Sequence, residues 1–182
     1  MISVKVDLKG ILPLTGGRLQ KALVRALRKA GQTALRDMRA EASKIVRAER
    51  PLKRKVIRDA LRMVKSKGAN LDDLSWSLLV SGKTAHLSDY PHRQTRKGVS
   101  VQVETGKRIL FKSAFIATMH SGHQGVFLRR GAKRLPIYER AAPRSLDVLK
   151  HEDKARAVLI RGQRTLMAGV ERLLPLELAK EK

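Results

Sequence analysis

From Leu19 onward, apolar residues recur every three or four positions, at Leu23, Leu27, Ala30, Ala34, Met38, Ala42 and Ile45. That spacing marks one face of a helix and predicts a single long helix from about Arg18 to Glu49. An amphipathic helix must bury its stripe against other elements, so the rest of the chain has to supply a cover. The other faces carry Arg18, Lys21, Arg25, Arg28, Lys29, Arg36, Arg39, Lys44 and Arg47, against only Asp37, Glu41 and Glu49. Gly31 weakens the middle of this helix without having to break it.

Pro51 suits the first turn of a second helix, predicted to run to about Lys65 with Val56, Ile57, Ala60, Leu61 and Val64 as its apolar stripe. Between Arg50 and Lys67 the bases are opposed by Asp59 alone. Over the whole chain 40 Lys and Arg stand against 16 Asp and Glu, a net charge of +24. Solubility needs far less, and such self-repulsion opposes a compact state unless a polyanion or an acidic neighbour relieves it. Nucleic acid is the first candidate partner, and acidic subunits of a protein assembly are the second.

Aromatic residues make up only 3% of the 182 residues, so the core must come from Leu, Val, Ile and Ala. The same scarcity argues against stacking platforms for single-stranded nucleic acid. The absence of cysteine excludes disulfides and thiolate chemistry and suits a reducing cytoplasm. No stretch approaches the roughly 20 apolar residues of a membrane span. The alternating start, Ile2, Val4, Val6 and Leu8, is unlike a signal peptide and predicts a strand over Ile2 to Leu8.

Pro13 and Gly16-Gly17 separate that strand from the first helix. Gly68 to Asp73 reads as a turn, followed by a strand over Leu74 to Val80. Further strands are predicted over Val99 to Glu104 and Arg108 to Phe111, joined by the Thr105-Gly106 turn. Phe115 to Met119 and Val126 to Arg129 flank a Gly122 to Gly125 loop, and Arg134 to Tyr138 supplies an edge piece. Together they suggest an antiparallel sheet of four or five strands. A terminal helix is predicted from about Glu152 to Leu173, ended or kinked by Pro175.

Few motifs carry chemistry. Gly82-Lys83-Thr84 resembles the end of a phosphate-binding loop, but Ser77 stands where that motif needs another glycine, so a polar turn is the better reading. His120 and His123 could share a metal if their loop curled, yet the nearest acids in sequence are Glu104 and Glu139. A glycine-bearing loop meeting a neighbouring subunit is the plainer account. Ser88-Asp89 near His86 and His92 offers the residue types of a nucleophilic triad without its strained turn. No catalytic centre, metal or cofactor is expected. The bases fall in runs: Arg47 to Lys55, Arg93 to Lys97, Lys107 to Lys112 and Arg129 to Arg134. Contact with a polyanion through phosphates rather than bases follows from so many runs.

One stretch goes beyond composition. Tyr90 to Val103, then Ala114 to Gly131, then Arg134-Leu-Pro-Ile, resemble in order the central region of the phage minor tail protein Z family. Ala26 to Ala30 and Lys53 to Arg58 resemble that family's amino-terminal half. The likeness spans roughly Gly16 to Leu178 and is densest between Pro91 and Pro143.

The resemblance implies a structural, non-enzymatic virion protein of the upper tail or neck, made in the host bacterial cytoplasm. It implies a ring, six-fold, that completes the tail, supports head-tail joining and seats the DNA end in the channel. Partners would be copies of itself, the tail terminator, tail tube or tape-measure protein, and duplex DNA, with no membrane. The competing reading from charge alone is a stand-alone, sequence-independent nucleic-acid-binding protein.

The fold class expected is α+β, with long N-terminal and C-terminal helices packed on a small antiparallel β-sheet. A single tail-completion-like domain is expected, with a strand or arm over 1–15, basic helices over 16–67, a β-rich core over 74–140 and C-terminal helices over 145–178. Arg47, Arg50, Lys53, Arg54 and Lys55 are the candidate DNA-facing bases. Phe115, His120, Gly122, His123, Gly125, Phe127, Arg129, Gly131, Arg134 and Pro136 form the candidate assembly loop.

Overall fold

A computed structural model describes residues 2–5, 17–65, 74–81, 85–131, 133–142 and 146–180. The chain is α+β and divides into two compact units, Met1–Ser43 with Leu61–Val80 and Lys150–Lys182, and Lys44–Ala60 with Ser81–Leu149.

The first unit pairs the two long helices, α1 (Gly17–Glu49), whose residues from Lys44 onward belong to the second unit, and α3 (Glu152–Ala179). The fully buried face of α1 is made of small residues, Ala22, Ala26, Ala30, Ala34 and Ala42, with Leu35 and Met38 among them. Small side chains let backbones approach closely: a Cβ added to Gly169 of α3 would lie 2.8 Å from the Ala30 Cβ. Leu19 and Leu23, which the spacing places on the same stripe, are only half-buried, so the inward face is turned toward the alanines.

Polar contacts fasten the pair. Thr165 Oγ1 donates to Asp37 Oδ2 at 2.8 Å, and Lys29 Nζ reaches Glu177 Oε1 at 2.6 Å. Pro175 lies inside α3, which continues to Ala179 rather than ending near Leu173. A proline removes one helical hydrogen bond. The ion pairs of buried Glu177 with Lys29 and Lys180 anchor the turn beyond it, and this tertiary anchoring outweighs the local penalty.

A three-stranded antiparallel sheet completes this unit, ordered β1 (Ile2–Lys5), β3 (Ser75–Val80), β2 (Leu61–Lys65). Residues 6–8 of the expected first strand and the expected 68–73 turn lie outside the described residues. The second helix is shorter than its stripe suggests: α2 is Arg54–Ala60, and Leu61–Lys65 is strand. Ile57 and Leu61 fit a helical step of four, but Leu61 and Met63 also fit a strand's step of two. A run this short is ambiguous by period alone, and pairing with β3 from Leu61↔Val80 to Lys65↔Trp76 decides it.

Trp76 on β3 explains Gly31. A Cβ at position 31 would lie 1.9 Å from the buried Trp76 ring. The glycine is the notch that admits the indole.

The second unit holds two more antiparallel sheets, β4 (His92–Thr95), β5 (Gly98–Glu104) and β6 (Lys107–Lys112), and β7 (Ala114–Thr118), β8 (Gln124–Arg129) and β9 (Ile137–Glu139). In place of the expected single sheet of four or five strands, the described residues form three sheets of three. The chain breaks between β6 and β7 at Ser113, whose φ of 58° takes the backbone out of the extended region. β4 is absent from the expected strands because His-Arg-Gln-Thr carries no apolar alternation. Gly125 lies within β8 opposite Ala117, so the connecting loop is Met119 to His123. β9 takes the predicted edge position. Val99, Val101, Val103, Val126, Leu87 and Tyr90 fill this unit's core.

Gly31→Ala would ordinarily stabilise a helix interior by about 1 kcal/mol. Here the collision with Trp76 should reverse the sign and cost about 1 to 3 kcal/mol, read as a lower thermal unfolding midpoint. Hydrogen bonds from Lys29 and Lys180 hold the Glu177 carboxyl below its ordinary value, with burial opposing them. A depressed folded value means a contribution present above the unfolded value of about 4.5 and lost as pH falls through the folded one. Glu177→Gln should therefore lower the urea midpoint at neutral pH, with the gap to wild type narrowing as the pH falls below about 4.5.

Candidate functional site

The chemistry-bearing side chains collect in the second unit. Arg47, Lys53, Arg54 and Lys55 are exposed at the end of α1 and the start of α2. Lys53 also has a local task, since its Nζ donates to Ser88 O at 2.9 Å and its backbone N–H to Asp89 O. Arg50 is half-buried, and its guanidinium reaches the interior beside the buried Tyr90 hydroxyl. Burial pushes the Tyr90 phenol above its ordinary value; the Arg50 charge opposes this and Asp89 adds to it.

Two separated basic runs and Arg129 meet in one open groove of about 860 Å³. Arg96 and Lys97 come from the β4–β5 turn, Lys112 from the end of β6 and Arg129 from the end of β8, and among the described residues no acid lines it. Gly98 makes the turn: its φ is 146°, and a Cβ there would fall 2.1 Å from Phe111 O. Arg129 lies over the Phe115 ring at 5.0 Å, which fixes one wall of the groove.

Gln94 ties the two sheets together at the groove floor. Its Oε1 accepts from Ile116 N at 2.9 Å, and its Nε2 donates to Gly98 O and Ala114 O. One side-chain amide thus stands in for the missing ladder between β4–β6 and β7–β9.

The expected assembly loop is spread over the β7–β9 sheet. Phe115 and Phe127 face each other in register with ring centres 6.2 Å apart, and Phe127 is buried. Gly122 makes the turn, with φ of 80° and its N–H bonded to Met119 O. His120, Gly131, Arg134 and Pro136 are exposed.

His120 and His123 do not form the pair that the loop's spacing offers. His123 Nε2 instead lies 2.9 Å from Glu139 Oε1, and His86 Nδ1 lies 2.8 Å from the same oxygen. The two imidazoles meet edge to face with centres 5.0 Å apart. Burial raises the Glu139 carboxyl, but the hydrogen bonds and charges of His123 and His86 outweigh it and hold the group low. Sequence reasoning misses His86 as a partner because 37 positions separate it from His123, and the bridge of His86 to Ala141 with the Ala142 N to Ala85 O bond brings them together.

The other motifs resolve locally. Asp89 Oδ2 accepts the His86 backbone N–H at 3.0 Å, so that carboxylate closes a turn instead of orienting an imidazole. His92 Nδ1 lies 2.8 Å from Tyr90 O. Gly82-Lys83-Thr84 lies outside the described residues. Among the described residues no helix is long and apolar enough to cross a membrane.

The described residues thus combine two long helices, small antiparallel sheets and a basic groove. Residues 13–164 match the family model described as Prophage minor tail protein Z (GPZ), and the chain belongs to that family of phage tail structural proteins. Its place is accordingly the virion tail, among other tail proteins. No curated protein and no solved structure matches the chain.

Gln94→Ala should remove the amide bridge between the two sheets and cost about 1 kcal/mol, seen as a lower urea midpoint with unchanged far-ultraviolet circular dichroism.

Proposed function

We propose that the chain is a subunit of the head-proximal end of the tail, where copies assemble into a six-fold ring that completes the tail and supports head-tail joining. The ring would seat the DNA end in its channel. The two compact units act in it as one tail-completion domain, next to the tail terminator, tail tube or tape-measure protein.

The observation that carries this reading is the exposed positive charge that the fold does not neutralise. Arg96, Lys97, Lys112 and Arg129 share a groove that no acid lines among the described residues, and Arg47, Lys53, Arg54 and Lys55 are exposed in the same unit. A ring multiplies a +24 subunit, and an enclosed polyanion or acidic neighbours would offset that charge. Phosphate contact needs cations at the surface and no base-reading geometry, which suits DNA that passes through regardless of sequence. Arg47, Arg50, Lys53, Arg54 and Lys55 are the proposed lumen set, with Arg50 serving from a half-buried position. Phe115, Gly125 and Phe127 shape the sheet from which His120, Gly122, His123, Arg129, Gly131, Arg134 and Pro136 meet neighbouring subunits.

The test combines assembly and salt dependence. The purified chain should form a ring of defined mass, and native particles should contain it near the head. Duplex binding should weaken steeply with salt, and the triple variant K53Q/R54Q/K55Q should flatten the slope of log K against log salt by about 0.9 for each phosphate no longer neutralised. An unchanged slope would remove those bases from the DNA interface. Native particles lacking the chain would overturn the proposal as a whole.

A further inference from the structure

We propose that His86, His123 and Glu139 form a binding site for one divalent transition-metal ion, with Zn²⁺ the best fit among the common ones. The site lies outside the cationic groove and does not depend on the tail reading.

The donor set points to this class of ion. One ring nitrogen of each histidine and one carboxylate oxygen all lie within 4.8 Å of one another. Two imidazoles and a carboxylate suit Zn²⁺ and its neighbours, whereas Mg²⁺ and Ca²⁺ take mainly oxygen. An ion about 2.0 to 2.1 Å from each donor in tetrahedral array would set the donors about 3.4 Å apart and the imidazole centres about 5 Å apart. The ring centres already stand 5.0 Å apart. The nitrogen-to-oxygen distances of 2.8 and 2.9 Å need to open by only about half an ångström.

The backbone holds all three donors in place before an ion arrives. His123 follows the turn closed by Met119 N to His123 O at 2.8 Å and Gly122 N to Met119 O at 2.9 Å. Glu139 stands on β9 opposite Phe127. His86 is fixed by its bridge to Ala141, by Ala142 N to Ala85 O, and by its own N–H to Asp89. Gly125 leaves room for the carboxylate: a Cβ there would fall 2.8 Å from Glu139 Oε1. Donors fixed in advance lose little freedom on binding, and the side chains remain open enough for an ion to enter and take water in the fourth position. The ion would clip the segment at His86 to the β7–β8 turn and the end of β9, which share one end of that sheet.

The test uses the full, tag-free chain, freed of metal by chelation. Titrating zinc chloride should show saturable binding of one ion per chain and raise the thermal unfolding midpoint, while magnesium chloride should do neither. Cobalt chloride should give the visible absorption of a four-coordinate ion. His123→Ala and His86→Ala should each weaken zinc binding by roughly 10- to 100-fold or more. His120→Ala, three positions from His123, should leave it unchanged. Circular dichroism of the metal-free variants guards against unfolding, and Glu139→Gln, which keeps the side chain's shape, gives a second route to the same loss. Absence of one-to-one zinc binding in the wild-type chain would overturn the site, leaving a hydrogen-bonded cluster only. Undiminished binding in the folded His86→Ala and His123→Ala variants would do the same.

Discussion

The close approach of backbones along α1 is the condition on which the first unit rests. With only 3% aromatic residues, this chain cannot fill a core with large rings. It gains density by bringing helices and strands near enough for small side chains to mesh. Ala30 against Gly169 and Gly31 against Trp76 are two adjacent notches on one helix turn, one admitting a helix and the other an indole. The outer faces of that helix are then free to carry bases at little cost to packing, because charge and core occupy different sides of the cylinder.

The second unit solves a different problem. Short hairpins bury little, so its two sheets are joined by single side chains and tight turns rather than by a continuous ladder. Gln94 spans from β4 to β7, Gly98 lets the chain reverse against Phe111, and Thr105 N–H bonds to Glu49 O at the end of α1. Turns placed this way project their residues outward. Here the projected residues are Arg96 and Lys97, so local geometry and the cationic groove have one origin.

Legibility follows the length of the signal. The helix over Gly17–Glu49 can be read because many turns of apolar spacing leave no other period that fits. Leu61–Lys65 cannot, since so short a run satisfies both periods and only the partner strand decides between them. β4 is invisible because its exposed faces need no apolar residue. The basic runs are legible one by one, but their meeting in a groove depends on turns at Gly98 and Ser113 that bring distant segments together. Spacing pairs His123 with His120 instead of Glu139, for sequence neighbours are visible in a chain and sheet neighbours are not. Helix α3 outruns Pro175 because its last turn is held by Lys29, 148 residues earlier than Glu177, a contact that no local pattern announces.

The scarce acids complete the argument about charge. Asp37 holds α3 to α1, Asp89 closes a turn, Glu177 anchors a helix end and Glu139 gathers two histidines. Each of these carboxylates is engaged within the fold, and there are 16 in all against 40 bases. Internal pairing therefore cannot bring the molecule near neutrality. Acids are used where they fix geometry, and bases stand at the surface in groups, as on the groove and at the start of α2. Repulsion among such groups raises the free energy of the isolated subunit and falls when an opposite charge is placed among them. Under the proposed function, an assembly that supplies that charge would stabilise the subunit, and electrostatic strain in the free chain would favour its incorporation into the tail.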